Sequence, residues 1–182
     1  SVGKLYNIDK IKLLTAISKL ESVVGRLQSF LSSNKVTVII DYAHTPDAIE
    51  NVISTINKIK SRTQNLITVI GCGGDRDKDK RSIMGNICSE LSSKVIFTSD
   101  NPRSEDPTSI IDDMIKGVSK LNTNKVSVEI ERSKAIKEAK ENSLEGDIVL
   151  IAGKGHEDYQ ELKNNKRIKF DDFKIAKQIF NK

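Results

Sequence analysis

The chain has 182 residues, 37% of them hydrophobic and 30% charged, a balance that gives one globular domain with a core of ordinary size and excludes a disordered chain. Its net charge of +5 arises from 30 basic residues interleaved with 25 acidic ones, so the basic side chains read as a solvated surface rather than a nucleic-acid groove. Aromatic residues make up 4% with no Trp, too few to stack single-stranded bases, and no apolar run approaches the roughly 18 residues of a membrane span.

Cys72 and Cys88 are the two cysteines, and neither their number nor their spacing fits a disulfide framework or a metal cluster. A reducing cytoplasm is the expected compartment. The N-terminus lacks the charged-then-apolar order of a signal peptide. A first residue of Ser rather than Met leads us to expect a piece of something longer, a tag remnant being the other explanation.

In chain order, Ile8, Ile11, Leu14, Ile17 and Leu20 recur every three positions and predict an amphipathic helix, with Asn7 or Asp9 as N-cap and Gly25 as its end. The first clear strand is "KVTVIID", which hands over at "DYAHTP" to a helix that Thr45 can cap and Pro46 can begin. The pattern repeats with "NLITVIG" before "RSIMGNICSELS", "KVIFTSD" before "PTSIIDDMIKGVSK", and "KVSVEIE" before "SKAIKEAKENS". Then follow the strand "DIVLIAG", a polar loop, a turn at "NN", a short strand "KRIKF" and a last helix from "DDFKIAKQIF". Strands of near-continuous Val, Ile and Leu alternating with helices specify an α/β fold: an open, mostly parallel, Rossmann-like sheet with helices on both faces. The last strand follows its predecessor after a short loop and is expected to be an antiparallel edge strand. Residues 1–25 precede the first strand–helix unit and are expected to belong to a neighbouring domain or linker, with 26–182 forming the α/β domain.

In such a sheet ligands bind beyond the carboxyl ends of the strands. Those ends read "DYAHTP", "GCGGDRDKDKR", "SDNPR" and "AGKGHEDYQ", so both histidines fall on one edge. Arg76 stands where a dinucleotide fingerprint needs its third glycine, and no GxxxxGK[ST] loop, HExxH pair or GxSxG elbow occurs. What remains is a receptor for a charged small molecule. Arg76 and Arg103 offer planar forks to a carboxylate or phosphate; Asp75, Asp100 and Glu157 accept from an ammonium; Asn101 serves either. That combination suits a zwitterion such as an amino acid. On spacing alone a second arrangement stands beside it, in which Arg103 pairs with Glu105 or Asp106 and Pro102 only shapes a turn.

The strings "DYAHTPDA", "GCGGDRDK.KR", "DNPR..DP" and "AGKGHEDYQ", in this order from about Val24 to the C-terminus, resemble the C-terminal domain of the Mur ligases. The resemblance implies ATP-dependent ligation in peptidoglycan synthesis. In that chemistry the carboxylate of UDP-N-acetylmuramoyl-L-alanyl-D-glutamate is phosphorylated, and an incoming amino acid attacks the acyl phosphate to form an amide. The arginine of "DNPR" is similar to the branch that adds meso-diaminopimelate; the lysine-adding branch lacks it.

By resemblance, Arg76, Asn101, Arg103, Gly153 and Glu157 match diaminopimelate-binding positions. Arg103 would clamp the distal carboxylate beside Asn101, Glu157 and the Gly153 carbonyl would take the distal ammonium, and Arg76 would hold the other carboxylate. Arg26 and Asp41 match positions around the ATP ribose, Tyr42 lies near the base, and His44 faces the terminal phosphates unless it only caps the strand–helix junction. Lys154 and His156 lie in the motif without an assigned role.

The family's phosphate loop, modified lysine and magnesium ligands belong to upstream domains whose motifs are absent here. No catalytic residue and no metal ligand is therefore assigned within the chain, residues 1–25 are expected to be the remnant of the central ATP-binding domain, and no turnover is expected from the chain alone. The partners implied are meso-diaminopimelate, ATP with Mg, and the UDP-N-acetylmuramoyl dipeptide, with neither nucleic acid nor membrane. A lysine-adding ligase, a free-standing amino-acid or nucleotide sensor, and a redox Rossmann domain are the alternatives.

Overall fold

The computed structural model describes residues 25–181, so the helix expected from Ile8 to Leu20 lies outside the described residues. Five strands of the main sheet are parallel to one another: β2 (Thr37–Asp41), β3 (Leu66–Ile70), β4 (Lys94–Phe97), β5 (Val126–Val128) and β6 (Ile148–Ala152). Every residue of β3 and β6 is buried, as continuous Val/Ile/Leu runs require when helices cover both faces.

A sixth strand, β1 (Gln28–Leu31), pairs antiparallel with β2. It supplies the antiparallel edge, and the "KRIKF" segment does not. That segment forms β8 (Lys166–Lys169), which pairs with β7 (Tyr159–Leu162) in a separate two-stranded sheet. The physical reason lies in the side chains. All four residues of β8 are exposed, so it has no apolar face to bury on the main sheet, whereas Phe30 of β1 packs edge-on against Phe173 with ring centroids 5.6 Å apart.

Alternating side chains divide the core in two. Ile39, Leu66, Ile70 and Leu150 pack under α1 (Pro46–Ile59), α2 (Asp79–Leu91) and α3 (Pro107–Ile115). Val38, Ile40, Val69 and Ile151 pack under α4 (Arg132–Glu141) and α5 (Asp172–Phe180). Full burial of each such side chain contributes roughly 1.5–3 kcal/mol. As the sequence predicts, Thr45 caps α1, accepting from the Ala48 N–H, and Pro46 opens the helix; the structure adds Asp106 as the cap of α3 ahead of Pro107, accepting from the Thr108 N–H.

The strand order is β1-β2-β6-β3-β4-β5. The chain passes from β2 to β3, runs on to β5, and returns through α4 to insert β6 between β2 and β3. This reversal makes a crevice over the carboxyl end of β6, flanked by the loops after β2, β3 and β4.

Candidate functional site

A cavity of about 360 Å³ opens at that crevice, lined by residues that include Tyr42, His44, Gly73, Arg76, Asp100, Asn101, Arg103, Gly153 and Glu157. Its size lies low in the range of small-molecule sites, roughly 300–1,000 Å³. All five residues expected to bind the amino acid therefore line one space, together with Tyr42 and His44 of the nucleotide set.

The glycines after β3 explain how two of the walls meet. A Cβ on Gly74 would lie 1.9 Å from the Pro102 carbonyl oxygen, and the Gly74 N–H donates to the Asn101 carbonyl at 2.9 Å. The glycine thus permits contact between two loop backbones; no phosphate turn is needed to account for it. Charged groups clasp the same loops. Asp75 accepts from the Ser104 hydroxyl, and the Asp75 N–H donates to Glu105 Oε1 at 2.6 Å.

Glu105 in turn is gripped by Arg81, with Nη2 to Oε1 at 2.8 Å and Nη1 to Oε2 at 3.0 Å. The Arg81 guanidinium holds the Glu105 carboxyl down at about 2. With Glu105 so engaged and Asp106 capping α3, the local pairing of Arg103 with either acid does not form.

Arg103 sits in the left-handed region at φ 52°, a conformation that costs a non-glycine residue about 1–3 kcal/mol. It is fixed there from several directions. Its N–H donates to the Glu161 carbonyl at 3.1 Å, Nε to Glu161 Oε2 at 3.1 Å and Nη1 to the Gly74 carbonyl at 2.9 Å. The Nη2 end has no hydrogen-bond partner among the described residues, and Arg103 lines the cavity.

Lys154 is one of the two motif residues, with His156, to which the sequence assigned no role. Fully buried, it donates through Nζ to Asn101 Oδ1 and to Glu157 Oε2, both at 3.0 Å, and stands 3.7 Å from Asp100 Oδ1. Asn101 completes a triangle by donating from Nδ2 to Glu157 Oε2 at 2.8 Å. A lysine enclosed this way must be paired, because an isolated buried ammonium is far costlier. Glu157 Oε1 and the Asp100 carboxylate accept no hydrogen bond from the described residues. Burial pushes the Asp100 carboxyl up, against the pull of Arg132 and Lys154. Gly153, at φ 111°, leaves space where a Cβ would stand 2.6 Å from Asp100 Oδ2.

Arg132 and Asp172 were not foreseen either. Both are fully buried and form a bidentate pair, Nε–Oδ1 and Nη2–Oδ2 each 2.8 Å, while Nη2 also donates to the carbonyl of Ala152 at 2.9 Å. Ala152 immediately precedes Gly153, so the pair anchors the end of β6 beneath the site. The two residues are 40 positions apart, and no motif connects them.

The expected nucleotide residues form a looser patch. Asp41 does not present a free carboxylate: its oxygens accept the N–H groups of Ala43 and Leu27, both at 2.8 Å, which ties the Gly25–Leu27 turn to the end of β2. That tie brings the Arg26 guanidinium to 6.0 Å from the Tyr42 ring centroid. The Tyr42 ring lies 4.5 Å from His44 and 5.0 Å from His156. His44 is exposed, its Nδ1 2.8 Å from the Tyr42 carbonyl. Among the described residues no three His, Cys, Asp or Glu side chains converge to hold a metal.

A family described as Mur ligase, glutamate ligase domain matches residues 25–155, more than half of the chain. The chain belongs to the Mur ligase family. Relatives named UDP-N-acetylmuramoyl-L-alanyl-D-glutamate--2,6-diaminopimelate ligase include one from Cytophaga hutchinsonii, 46% identical over 97% of this chain and 36% of its own length. Another, from Prochlorococcus marinus, is 54% identical over 78% of this chain and 27% of its own length. A solved structure carrying the same name superposes with a TM-score of 0.79 at 38% identity, covering 98% of this chain and 36% of that one. This Mur ligase chain thus spans about a third of the length of the curated relatives it matches.

Proposed function

We propose that the chain is the C-terminal, amino-acid-binding domain of an ATP-dependent ligase that adds meso-diaminopimelate to UDP-N-acetylmuramoyl-L-alanyl-D-glutamate in cytoplasmic peptidoglycan synthesis. On this reading residues 26–182 form the domain, and residues 1–25 come from the central ATP-binding domain. The observation that carries the proposal is one cavity lined both by the acids Asp100 and Glu157 and by the guanidinium groups of Arg76 and Arg103. The shared name of relatives 46% identical across nearly the whole chain supports it.

Diaminopimelate differs from lysine by one carboxylate at its far end. Arg103 answers that group with charge-assisted hydrogen bonds, and lysine, lacking it, would leave the Nη2 end of the guanidinium without a partner. Glu157 Oε1 and the Gly153 carbonyl receive the distal ammonium, Arg76 holds the remaining carboxylate, and Asn101 fixes Glu157 for this task. The nucleophilic amine is thereby held in position toward the activated glutamate, which is the larger share of what such a domain contributes to rate.

The Tyr42 ring, flanked by His44, His156 and Arg26, fits the flat face and anionic tail of ATP, with Asp41 shaping the turn that delivers Arg26. ATP supplies the phosphoryl group that activates the acceptor carboxylate; magnesium is held by residues of the preceding domain. The 182-residue chain has no catalytic residue of its own and does not turn over.

In the full-length enzyme, Arg103→Ala is expected to raise the KM for diaminopimelate far more than that for ATP. Equal loss on both, or unchanged preference over lysine, would remove the clamp and favour the lysine-adding reading. Product formed by the purified 182-residue chain from ATP, UDP-dipeptide and diaminopimelate would refute its dependence on further domains.

A further inference from the structure

The hairpin of β7 and β8 packs its Tyr159–Leu162 strand along the loop that carries Arg103. Gln160 Nε2 donates to the Asp100 carbonyl at 2.6 Å. The Glu161 N–H donates to Asn101 Oδ1 at 2.8 Å, and the Glu161 carbonyl receives the Arg103 N–H at 3.1 Å. One residue of the hairpin therefore touches both side chains assigned to the far end of the substrate. Its carboxylate does more than fill space: Oε2 holds Arg103 Nε at 3.1 Å, while Oε1 lies 3.6 Å from Arg167 Nη2. Arg167, from the exposed strand β8, stacks over Tyr159 at 4.4 Å and completes the brace from outside.

A guanidinium can grip a carboxylate side-on through Nε and Nη2, or end-on through Nη1 and Nη2. Glu161 takes the Nε proton, and the Gly74 and Asn101 carbonyls accept from Nη1 at 2.9 and 3.5 Å. Among the described residues the end that carries Nη2 is left for a ligand. We propose that Glu161 is a positioning residue for amino-acid selectivity: it caps Nε of Arg103 and turns the guanidinium so that a distal carboxylate is received at its Nη2 end. The inference rests on the clamp role given to Arg103 above and adds the residue that aims it.

The test uses the full-length ligase with four proteins compared: unsubstituted, Arg103→Ala, Glu161→Ala and Glu161→Gln. Glu161→Ala removes the acceptor for Nε and is expected to raise the KM for meso-diaminopimelate about tenfold, the size of one charge-assisted hydrogen bond, with kcat and the KM for ATP changed by less than about twofold. Glu161→Gln keeps an oxygen that can accept from Nε and is expected to restore most of the affinity. An unchanged diaminopimelate KM in Glu161→Ala overturns the proposal, as does a parallel loss in kcat and ATP KM. A glutamine variant as weak as alanine also overturns it, by assigning the effect to charge rather than aim. If Arg103→Ala itself leaves the diaminopimelate KM unchanged, the clamp fails and the brace fails with it. A diaminopimelate KM raised in Arg103→Ala but unchanged in Glu161→Ala is failure of the brace alone, so the two failures are told apart.

Discussion

The two sides of the crevice are built differently. On the Arg103 side, loops from three strand ends are cross-linked by Lys154, Glu105 and Glu161 through hydrogen bonds to buried or half-buried partners, and at the surface by Asp75. On the Tyr42 side, Asp41 fixes the backbone, but His44 and His156 are exposed and their rings rest against Tyr42 without a buried polar network. On the proposed reading the difference teaches that selectivity for a small zwitterion needs a site built before the ligand arrives, since each freely rotating side chain would cost ordering entropy on binding. A surface that meets a nucleotide held elsewhere can leave its contacts to be completed on closure.

Several substitutions test that contrast. The largest effect is expected for Arg132→Ala, which strands the fully buried Asp172 carboxylate and frees the Ala152 carbonyl under the rigid side. Breaking such a pair costs about 3–5 kcal/mol, readable as a lower urea midpoint. A loss below about 1 kcal/mol would mean that the anchor and the site are independent.

Gly74→Ala comes next. Its Cβ would fall 1.9 Å from the Pro102 oxygen, so the two loops must part, at a cost of roughly 1–3 kcal/mol. The KM for diaminopimelate should rise with it while that for ATP holds. Movement of both constants together would erase the distinction between the two sides.

Acid should loosen the rigid side first. Glu105 is depressed from its ordinary 4.5 to about 2 by Arg81. Its stabilising contribution is therefore fully present above about pH 4.5 and is lost as pH falls toward 2. Glu105→Gln is expected to be less stable at neutral pH and to lose less stability over that interval, measured by denaturant unfolding at each pH. Parallel pH profiles for the two proteins would count against the Arg81–Glu105 clasp.

The smallest stability change is expected on the looser side. His44→Ala should stay within about 0.5 kcal/mol of the parent, as exposed substitutions do, yet raise the KM for ATP and leave that for diaminopimelate in place. A marked loss of stability would instead make His44 a structural part of the strand–helix junction.

Much of this was legible in the chain itself. Four strands declared themselves as buried Val/Ile/Leu runs and β5 as the alternating "KVSVEIE", the Thr45–Pro46 start marked its helix, and the strand ends gathered the polar motifs on one edge. These are signals of local periodicity and backbone chemistry, which a sequence carries without reference to distant residues. Misplacing the antiparallel edge had a local cause too: "LQSFL" is short and half-buried, while "KRIKF" has a strand-like rhythm but no partner surface in the main sheet.

What only the tertiary structure decided is which charges meet. Arg103 had Glu105 and Asp106 near it in sequence, yet the structure gives Glu105 to Arg81, gives Asp106 to a helix cap, and supplies Glu161 from a hairpin 58 residues away. Arg132 finds Asp172, and Lys154 finds Asn101, by the same route. Local order follows from each residue's own backbone and side-chain preferences. The pairing of buried charges follows from the strand order, because only packing removes the water that would otherwise make one partner as good as another.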